Sequence, residues 1–346
     1  MNSLTLRRPD DFHLHLRDGA QLEAVLPFTA ARFARALVMP NLKPAMVDTA
    51  GLAAYRNRIQ TVVPPAAAFE PLMTLYLTDR TTPQEIARAR SSGFVLGAKL
   101  YPAGATTHSD AGVTSIDKIW PALEAMAEQQ LVLQVHGEAT EPDVDVFDRE
   151  QVFIDRVLSR VVERVPGLRV VFEHVTTAAA VEFVRCSRAG VAATMTPQHL
   201  LMNRNALFEG GLRPHHYCLP VLKRERDRHA LLAAATSDDS RFFLGTDSAP
   251  HARHTKEAPC GCAGIFSAHA AIEFYAEAFE EAGRLDRLES FASERGADFY
   301  GLPRNEGTIT LRREPWKVPA SYPFGGQDAL VPLRAGSSVA WRLAGR

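Results

Sequence analysis

Short apolar runs alternate with amphipathic segments along most of the chain. Eight runs rich in apolar and β-branched residues predict strands, and they lie at residues 11–16, 36–40, 72–78, 94–101, 131–136, 169–174, 191–196 and 241–246. Between them apolar residues recur at helical spacing, most clearly at 49–62, 82–92, 115–130 and 148–165. Thr82 and Ser115 stand where two of these helices would begin. This alternation predicts right-handed βαβ units and a parallel sheet.

Eight such units are the number in a TIM-type (β/α)8 barrel, which is the fold class we predict for this α/β chain. A doubly wound open sheet is the alternative, but no Gly-x-Gly-x-x-Gly turn follows an early strand. After residue 303 the pattern changes to short strands separated by Pro and Gly turns. We therefore predict a single domain over 1–346, with the barrel at about 4–302 and a small β-rich C-terminal extension at about 303–346.

Polar residues with metal-binding or catalytic chemistry fall at or near the ends of five predicted strands. These residues are His13, His15, Lys99, His136, His174 and Asp247. In a TIM barrel the C-terminal ends of the strands form the mouth of the active site, so all six side chains would converge there.

Each of these residues also has an ordinary structural interpretation. A lone histidine in an apolar run is usually a hydrogen-bonded core residue, and Asp247 would suit a turn. Lys99 is harder to explain this way, because an unpaired ammonium is costly to bury. The shared position of all six favours a functional site over six independent structural roles.

Imidazole and carboxylate ligands together suit Zn²⁺, with Co²⁺ or Mn²⁺ as replacements. A catalytic zinc is normally held by three protein ligands, so six candidate ligands are too many for one ion and suit a site with two metal ions. A lysine ammonium cannot bind a metal. Carbamylation of Lys99 by CO₂ would give a carboxylate with one oxygen for each ion.

The bulk composition narrows the function classes. The chain has 39 basic and 40 acidic residues, a formal net charge of −1 and no basic run, which argues against nucleic-acid binding. No segment has the pattern of a secretory signal or a membrane-spanning helix. The four cysteines are too few and scattered for a disulfide framework. We expect a cytoplasmic enzyme with reduced thiols and no membrane partner.

Several weaker candidates are assigned no chemistry from the pattern. The Cys-Gly-Cys stretch at 260–262 has no second thiol pair and is interpreted as a loop. His108 lies in a loop of small and polar residues that could act as a lid. His199, His215 and His216 fall outside the strand-end pattern, and no Gly-x-Ser-x-Gly turn supports a serine hydrolase.

An ordered set of motifs resembles bacterial dihydroorotases of the short, single-function type, which belong to the amidohydrolase superfamily. The motifs are FHLHLRDG (12–19), MPNLKP (39–44), GAKLYPAGATTHSDAGV (97–113), LQVHGE (133–138), FEHVTT (172–177), HHYCLPVLK (215–223), GTDSAPHARHTKE (245–257) and CGCAG (260–264). The resemblance runs from about residue 4 to the C-terminus. It implies the reversible cyclisation of N-carbamoyl-L-aspartate to (S)-dihydroorotate in de novo pyrimidine (UMP) biosynthesis.

The resemblance also implies roles for particular residues. One zinc would be held by His13, His15, Lys99 and Asp247, and the second by Lys99, His136 and His174. Lys99 would be an N6-carboxylysine that bridges the two ions together with a hydroxide, and Asp247 would be the general base and acid.

The substrate would be bound by a further set of residues. Arg17, Asn41 and His251 would hold its carboxylate, the backbone near Leu219 and Ala263 would hold the ring amide, and His136 would also contact it. Thr106 and Thr107 would lie on the flexible loop that closes over the site. The family further implies a homodimer. An arginine beside the metal ligands suits a carboxylate, because its guanidinium is a planar bidentate partner.

Two other functions are open to the same sequence. A hydantoinase, dihydropyrimidinase or allantoinase would use the same metal cluster, but those substrates lack the ring carboxylate that Arg17 would bind. Their chains typically carry an N-terminal β-sandwich, for which the twelve residues before His13 leave no room. A catalytically inactive relative acting as a scaffold would usually have lost metal ligands, and all six are present here.

Overall fold

Eight parallel strands form the centre of the structure, a computed structural model that describes residues 2–259 and 261–345. They follow one another in chain order around the sheet. The strands are β2 (Asp10–Leu14), β3 (Arg35–Val38), β4 (Glu70–Tyr76), β5 (Val95–Leu100), β6 (Val132–Val135), β7 (Val170–Phe172), β8 (Val191–Met195) and β9 (Phe242–Leu244). All eight predicted strands are confirmed, each within about three residues at its ends, and so is the barrel fold.

Helices follow the strands and cover the outside of the barrel. They are α1 (Gly19–Arg32), α2 (Thr49–Val62), α3 (Pro83–Ser91), α4 (Trp120–Glu128), α5 (Arg149–Phe153), α6 (Ser159–Arg164), α7 (Ala178–Cys186), α8 (Pro197–Leu201), α9 (Glu225–Ala235), α10 (Arg253–Lys256), α11 (Ala271–Glu281) and α12 (Arg295–Tyr300). A π-helical turn at Ile154–Leu158 joins α5 to α6. Among the described residues, no helix has the length and apolar character needed to cross a membrane.

Side chains at the helix starts explain why the sequence pattern located several helices well. The Asp48 carboxylate accepts from the Gly51 N–H at the start of α2, and Thr82 accepts from the Glu85 N–H at the start of α3. The helix predicted at 49–62 matches α2 at both ends. The segment 115–130 is instead a short 3₁₀ turn at Ile116–Lys118 followed by α4.

The alternation of side chains along the strands divides the barrel interior into stacked layers. The lowest layer is apolar and includes Leu72, Val132, Val171, Ala192 and Phe243. Two residues further along four of these strands the layer becomes polar, with Thr74, Gln134, Glu173 and Thr194 all fully buried. The next layer holds the predicted metal ligands. The polar layer therefore separates the metal ligands from the apolar core.

The first and last strands of the barrel meet through irregular contacts. Asp247 N–H donates to His13 C=O at 2.8 Å, and His15 N–H donates to Ser248 C=O at 3.0 Å. The Asp11 carboxylate accepts from the His13 and Thr246 N–H groups and from the Thr246 hydroxyl, at 3.1, 2.9 and 2.6 Å. Asp11 therefore helps to close the barrel beside the predicted metal ligands.

The C-terminal extension forms small antiparallel sheets against the barrel. β10 (Thr308–Arg312) pairs with β15 (Arg342–Leu343), and also with β1 (Ser3–Arg7) from the start of the chain. Two further pairs join β11 (Trp316–Lys317) to β14 (Ser338–Val339) and β12 (Tyr322–Pro323) to β13 (Ala329–Leu330). The sequence pattern did not predict β1, whose partner lies some 300 residues away in the chain. Within the stretch 260–262, Cys260 lies outside the described residues.

Replacing Asp11 with alanine should destabilise the barrel where it closes. The His13 and Thr246 N–H groups would lose their acceptor, and the Thr246 hydroxyl would keep only the His13 carbonyl at 3.3 Å. An unsatisfied buried donor costs about 1–3 kcal/mol. We expect Asp11→Ala to lower the free energy of unfolding by about 2–4 kcal/mol, measured by urea denaturation. Asp143→Ala, at an exposed position, is the control. Equal stability of the two variants would contradict this role for Asp11.

Candidate metal centre and substrate cavity

All but one of the predicted site residues line a single cavity at the C-terminal mouth of the barrel. The lining includes His13, His15, Arg17, Asn41, Thr106, Thr107, His136, His174, Leu219, Asp247, His251 and Ala263. The exception is Lys99, which lies fully buried on β5 with its Nζ 5.2 Å from the centre of the Tyr101 ring. Tyr101 also lines the cavity, so Lys99 lies close to its wall.

His13, His15 and Asp247 form the tightest group of possible metal ligands. One ligand atom from each lies within 4.8 Å of the others. Asp247 Oδ1 is 3.0 Å from His15 Nε2 and 3.5 Å from His13 Nε2. This is a buried cluster of two imidazoles and one carboxylate, a donor set that suits zinc.

His136 and His174 continue this cluster across the cavity. The ring centroids of His13 and His174 are 4.9 Å apart, and those of His174 and His136 are 4.8 Å apart. His174 Nδ1 and Lys99 Nζ are both buried with no hydrogen-bond partner among the described residues. Buried polar atoms are seldom unpaired, so these two atoms fit positions that a bound metal centre would occupy.

The local backbone directs several of these side chains into the cavity. The sequence pattern predicted that the first barrel strand runs to residue 16. In the structure β2 ends at Leu14, so His15 and Arg17 lie just after the strand. Arg17, His174 and Asp247 all have left-handed φ angles, of 61°, 42° and 44°. Such conformations cost about 1–3 kcal/mol each in non-glycine residues and are concentrated at functional sites.

Three of the histidines are oriented by polar side chains on the far side of their rings. His13 Nδ1 is 2.8 Å from Glu173 Oε2, His15 Nδ1 is 2.8 Å from Asn41 Oδ1, and His136 Nε2 is 2.7 Å from Glu138 Oε2. Each oxygen can accept a hydrogen bond from the ring nitrogen it faces, which leaves the opposite nitrogen with a lone pair for a metal. Such outer partners fix the tautomer and the direction of a metal-binding imidazole.

Glu173 is itself held by the buried polar layer. Its Oε2 accepts from the Thr194 hydroxyl at 2.5 Å, and its Oε1 accepts from Gln134 Nε2 at 3.0 Å. The Thr74 hydroxyl donates to Gln134 Oε1 at 2.9 Å. Gly97 leaves room for this amide, because a Cβ there would lie 2.6 Å from Gln134 Oε1. Together these residues form one hydrogen-bonded support for His13.

Sequence reasoning missed the supporting residues Asp11, Gln134, Glu138 and Glu173. A signal was present, because Gln134 and Glu173 are polar residues inside short apolar strands. Their partners, however, lie on other strands, and no sequence spacing relates them.

Electrostatics favour metal-binding forms of these groups. Burial lowers the pKa of His13 and of His174, and the nearby Lys99 lowers both further, so these imidazoles are neutral. Burial lowers the pKa of Lys99 to about 8. Burial opposes ionisation of Asp247, but the His15 ring 3.0 Å from its Oδ1 and the nearby Lys99 ammonium outweigh burial and lower the pKa of this carboxyl.

Arg17 lies beside the metal ligands in a defined orientation. Its Nε donates to the Pro250 carbonyl at 2.9 Å and its Nη2 donates to His251 Nε2 at 3.0 Å. Its own carbonyl accepts from the Tyr55 hydroxyl at 2.6 Å. Burial lowers the pKa of His251, and the Arg17 charge lowers it further, so His251 is neutral and can accept this bond. The arrangement presents a buried cation to a small anionic ligand.

The cavity is closed by the loop that carries Thr106 and Thr107. Its free space is about 20 Å³, close to the volume that one water molecule needs. Asn41 Nδ2 donates to the Thr107 carbonyl at 3.3 Å, and His108 Nδ1 lies 3.3 Å from the Asn41 carbonyl. A molecule the size of an amino-acid derivative is larger than this free space.

The remaining histidines singled out in the sequence lie in ordinary polar contacts. His199 is buried between the Thr196 hydroxyl and the Pro220 carbonyl, at 2.7 and 3.0 Å. His215 pairs with Glu257, and His216 contacts a backbone carbonyl. None of the three lines the cavity.

Comparison with known proteins gives matches over the whole chain. A profile of the amidohydrolase family matches residues 11–329. The dihydroorotase of Azoarcus sp. (strain BH72) is 65% identical over 344 residues, which cover 99% of this chain and 100% of that protein.

Solved structures agree in fold at lower identity. The dihydroorotase of Campylobacter jejuni has a TM-score of 0.91 at 34% identity and covers 99% of this chain and 98% of its own. The dihydroorotase of Saccharomyces cerevisiae in complex with 5-fluoroorotic acid also has a TM-score of 0.91, at 31% identity, and covers 100% of both chains.

Replacing Glu173 with glutamine should weaken metal binding. The substitution keeps the size of the side chain but removes the charge that faces His13. Mutation of such outer partners typically lowers metal affinity about 10–100-fold, and we expect a loss in this range. Competition with a chromophoric zinc chelator measures the affinity, and Glu128→Gln at an exposed position is the control. Unchanged affinity in Glu173→Gln would exclude this supporting role.

Proposed function

This chain belongs to the amidohydrolase family and, within it, to the dihydroorotases, and from that premise we propose how its residues carry out the reaction. It catalyses the reversible interconversion of N-carbamoyl-L-aspartate and (S)-dihydroorotate plus water, a step of pyrimidine biosynthesis. The observation that carries the proposal is the Arg17–His251 pair beside the His13, His15 and Asp247 cluster in one cavity.

The residues present fit a two-metal centre. One zinc would be held by His13, His15, Lys99 and Asp247, and the second by Lys99, His136 and His174. The unpaired Lys99 Nζ and His174 Nδ1 support this assignment, since both are buried among the other ligands. Zinc bound there would act as a Lewis acid that activates water and polarises the amide carbonyl.

Lys99 would join the two halves of the site only after modification. Its burial lowers its pKa to about 8, so a useful fraction of the amine is uncharged near neutral pH. The uncharged amine can attack CO₂, losing one proton and forming an N6-carboxylysine whose two oxygens share one negative charge. With metal ions bound, this carboxylate would replace a buried ammonium that has no hydrogen-bond partner among the described residues.

Asp247 is the residue we assign to proton transfer. Its lowered pKa keeps it ionised at neutral pH, so it can accept a proton from the attacking water in the hydrolytic direction. It would then deliver that proton to the ring nitrogen as the amide C–N bond breaks. In the biosynthetic direction the same carboxyl group moves the proton the opposite way.

Recognition of the substrate would fall to residues on the other side of the cavity. Arg17, Asn41 and His251 would hold the ring carboxylate, and the fixed guanidinium favours a bidentate contact. The backbone at Leu219 and Ala263 would hold the ring amide, and His136 would also contact the substrate. Thr106 and Thr107 would close over the bound molecule and exclude water.

The proposal extends to the setting of the enzyme. We propose that 1–346 works as one metal-dependent hydrolase domain, with the barrel at about 4–302 and the β-rich extension at about 303–346. A homodimer acting in the cytoplasm on small molecules is the assembly that the family implies.

Asp247→Asn provides the test of the mechanism. An amide cannot take up the proton, and removing a general base typically lowers kcat about 10²–10⁴-fold, so we expect a loss in that range. Turnover of carbamoyl aspartate and of dihydroorotate is measured for both proteins, with Asp143→Asn as the control and circular dichroism to confirm folding. Near-native turnover by Asp247→Asn would refute the mechanism. A wild-type enzyme inactive on both compounds would refute the function.

A further inference from the structure

A buried lysine outside the metal centre lies beneath the part of the cavity where substrate would bind. Lys256, the last residue of α10, is 4% exposed. Its Nζ donates to the backbone carbonyls of Tyr217, Cys262 and Gly264, at 2.9, 2.9 and 2.6 Å. An ammonium has three N–H donors, so these three carbonyls use all of them.

The three acceptors come from two separate segments of the chain. Gly264 N–H also donates to the Tyr217 carbonyl at 3.0 Å, which joins the same two segments directly. Leu219, just beyond Tyr217, and Ala263, between the other two acceptors, both line the cavity. Lys256 therefore holds together the two stretches of backbone that face the substrate site.

Close packing around Gly264 makes the position of this segment critical. Its φ is +150°, and a Cβ there would lie 2.7 Å from the Ala249 carbonyl oxygen and 2.8 Å from His251 Cδ2. Displacement of the segment would thus also disturb His251, which accepts a hydrogen bond from Arg17. Among the described residues no carboxylate forms an ion pair with Lys256, so backbone carbonyls satisfy its charge.

We propose that Lys256 is a positioning residue for substrate binding, whose ammonium fixes the backbone near Leu219 and Ala263 at the spacing that the ring amide of the substrate requires. The role rests on the proposed function, because it needs those two segments to contact the substrate. It predicts that Lys256 affects binding of the substrate more than the chemical step or the metal content.

Lys256→Met tests this directly, since methionine fills similar space without donating hydrogen bonds. We expect KM for dihydroorotate and for carbamoyl aspartate to rise about 10-fold or more, because small displacements of positioning groups have effects of this size. kcat should change by less than about 3-fold, and the zinc content should equal that of the wild type. Lys256→Arg, which keeps a charged donor, should fall between the wild type and Lys256→Met.

Lys223→Met is the matched control. Lys223 is also buried, at 5% exposure, and its Nζ donates to the Val221 carbonyl. Neither Lys223 nor Val221 lines the cavity. A purely structural role would lower thermal stability in both lysine variants and leave KM unchanged.

The outcomes separate the two proposals. An unchanged KM in Lys256→Met, or an equal rise in KM in Lys223→Met, would overturn the positioning role while the wild type stays active. An inactive wild type would instead overturn the proposed function. If Lys256→Met does not fold, KM and kcat are measured for Lys256→Arg instead, whose donor geometry differs from that of lysine. Wild-type values of both constants in Lys256→Arg would then overturn the role.

Discussion

The burial of charge in a space that water barely enters is the constraint on which the rest of this structure depends. Lys99, Glu173 and Asp247 lie together in the barrel mouth with four histidines, and the cavity they adjoin has about 20 Å³ of free space. Isolated ions are very costly in such surroundings. Gln134 and Thr194 of the polar layer donate hydrogen bonds to Glu173, and Asp247 lies against His15. Lys99 has no hydrogen-bond partner among the described residues, which is why a carboxylated lysine with bound metal is the form we propose.

The same constraint explains how binding and chemistry are divided within the cavity. On one side, histidines held by fixed outer partners are oriented to bind metal. On the other side, Arg17 and His251 are oriented toward an anion, and Lys256 holds the backbone beside them. His13 and Lys99 lie on β2 and β5, but most of the other residues follow barrel strands, where residues with left-handed backbone angles such as His174 and Asp247 turn their side chains inward.

Much of this fold could be predicted from sequence because its signals are local. The apolar and β-branched runs located the eight strands, helical spacing located α2, and the cap at Thr82 marked the start of α3. The strand-end pattern also selected six residues that the structure gathers around one cavity mouth. The rest depends on contacts between distant segments. β1 pairs with Thr308–Arg312, and Glu173 supports His13 across the barrel. Lys256 donates hydrogen bonds to carbonyls from two loops. No periodicity in the chain indicates such distant partners.

The mechanism we propose depends most on Lys99, which would join two zinc ions at the mouth of the barrel. Measuring the zinc content per chain, together with anomalous scattering at the zinc edge from crystals of the purified enzyme, tests it most directly. The account predicts two ions per chain, both coordinated through a carboxylated Lys99 side chain, one with His13, His15 and Asp247 and the other with His136 and His174. A single ion, or two ions beside an unmodified Lys99 amine, would contradict it.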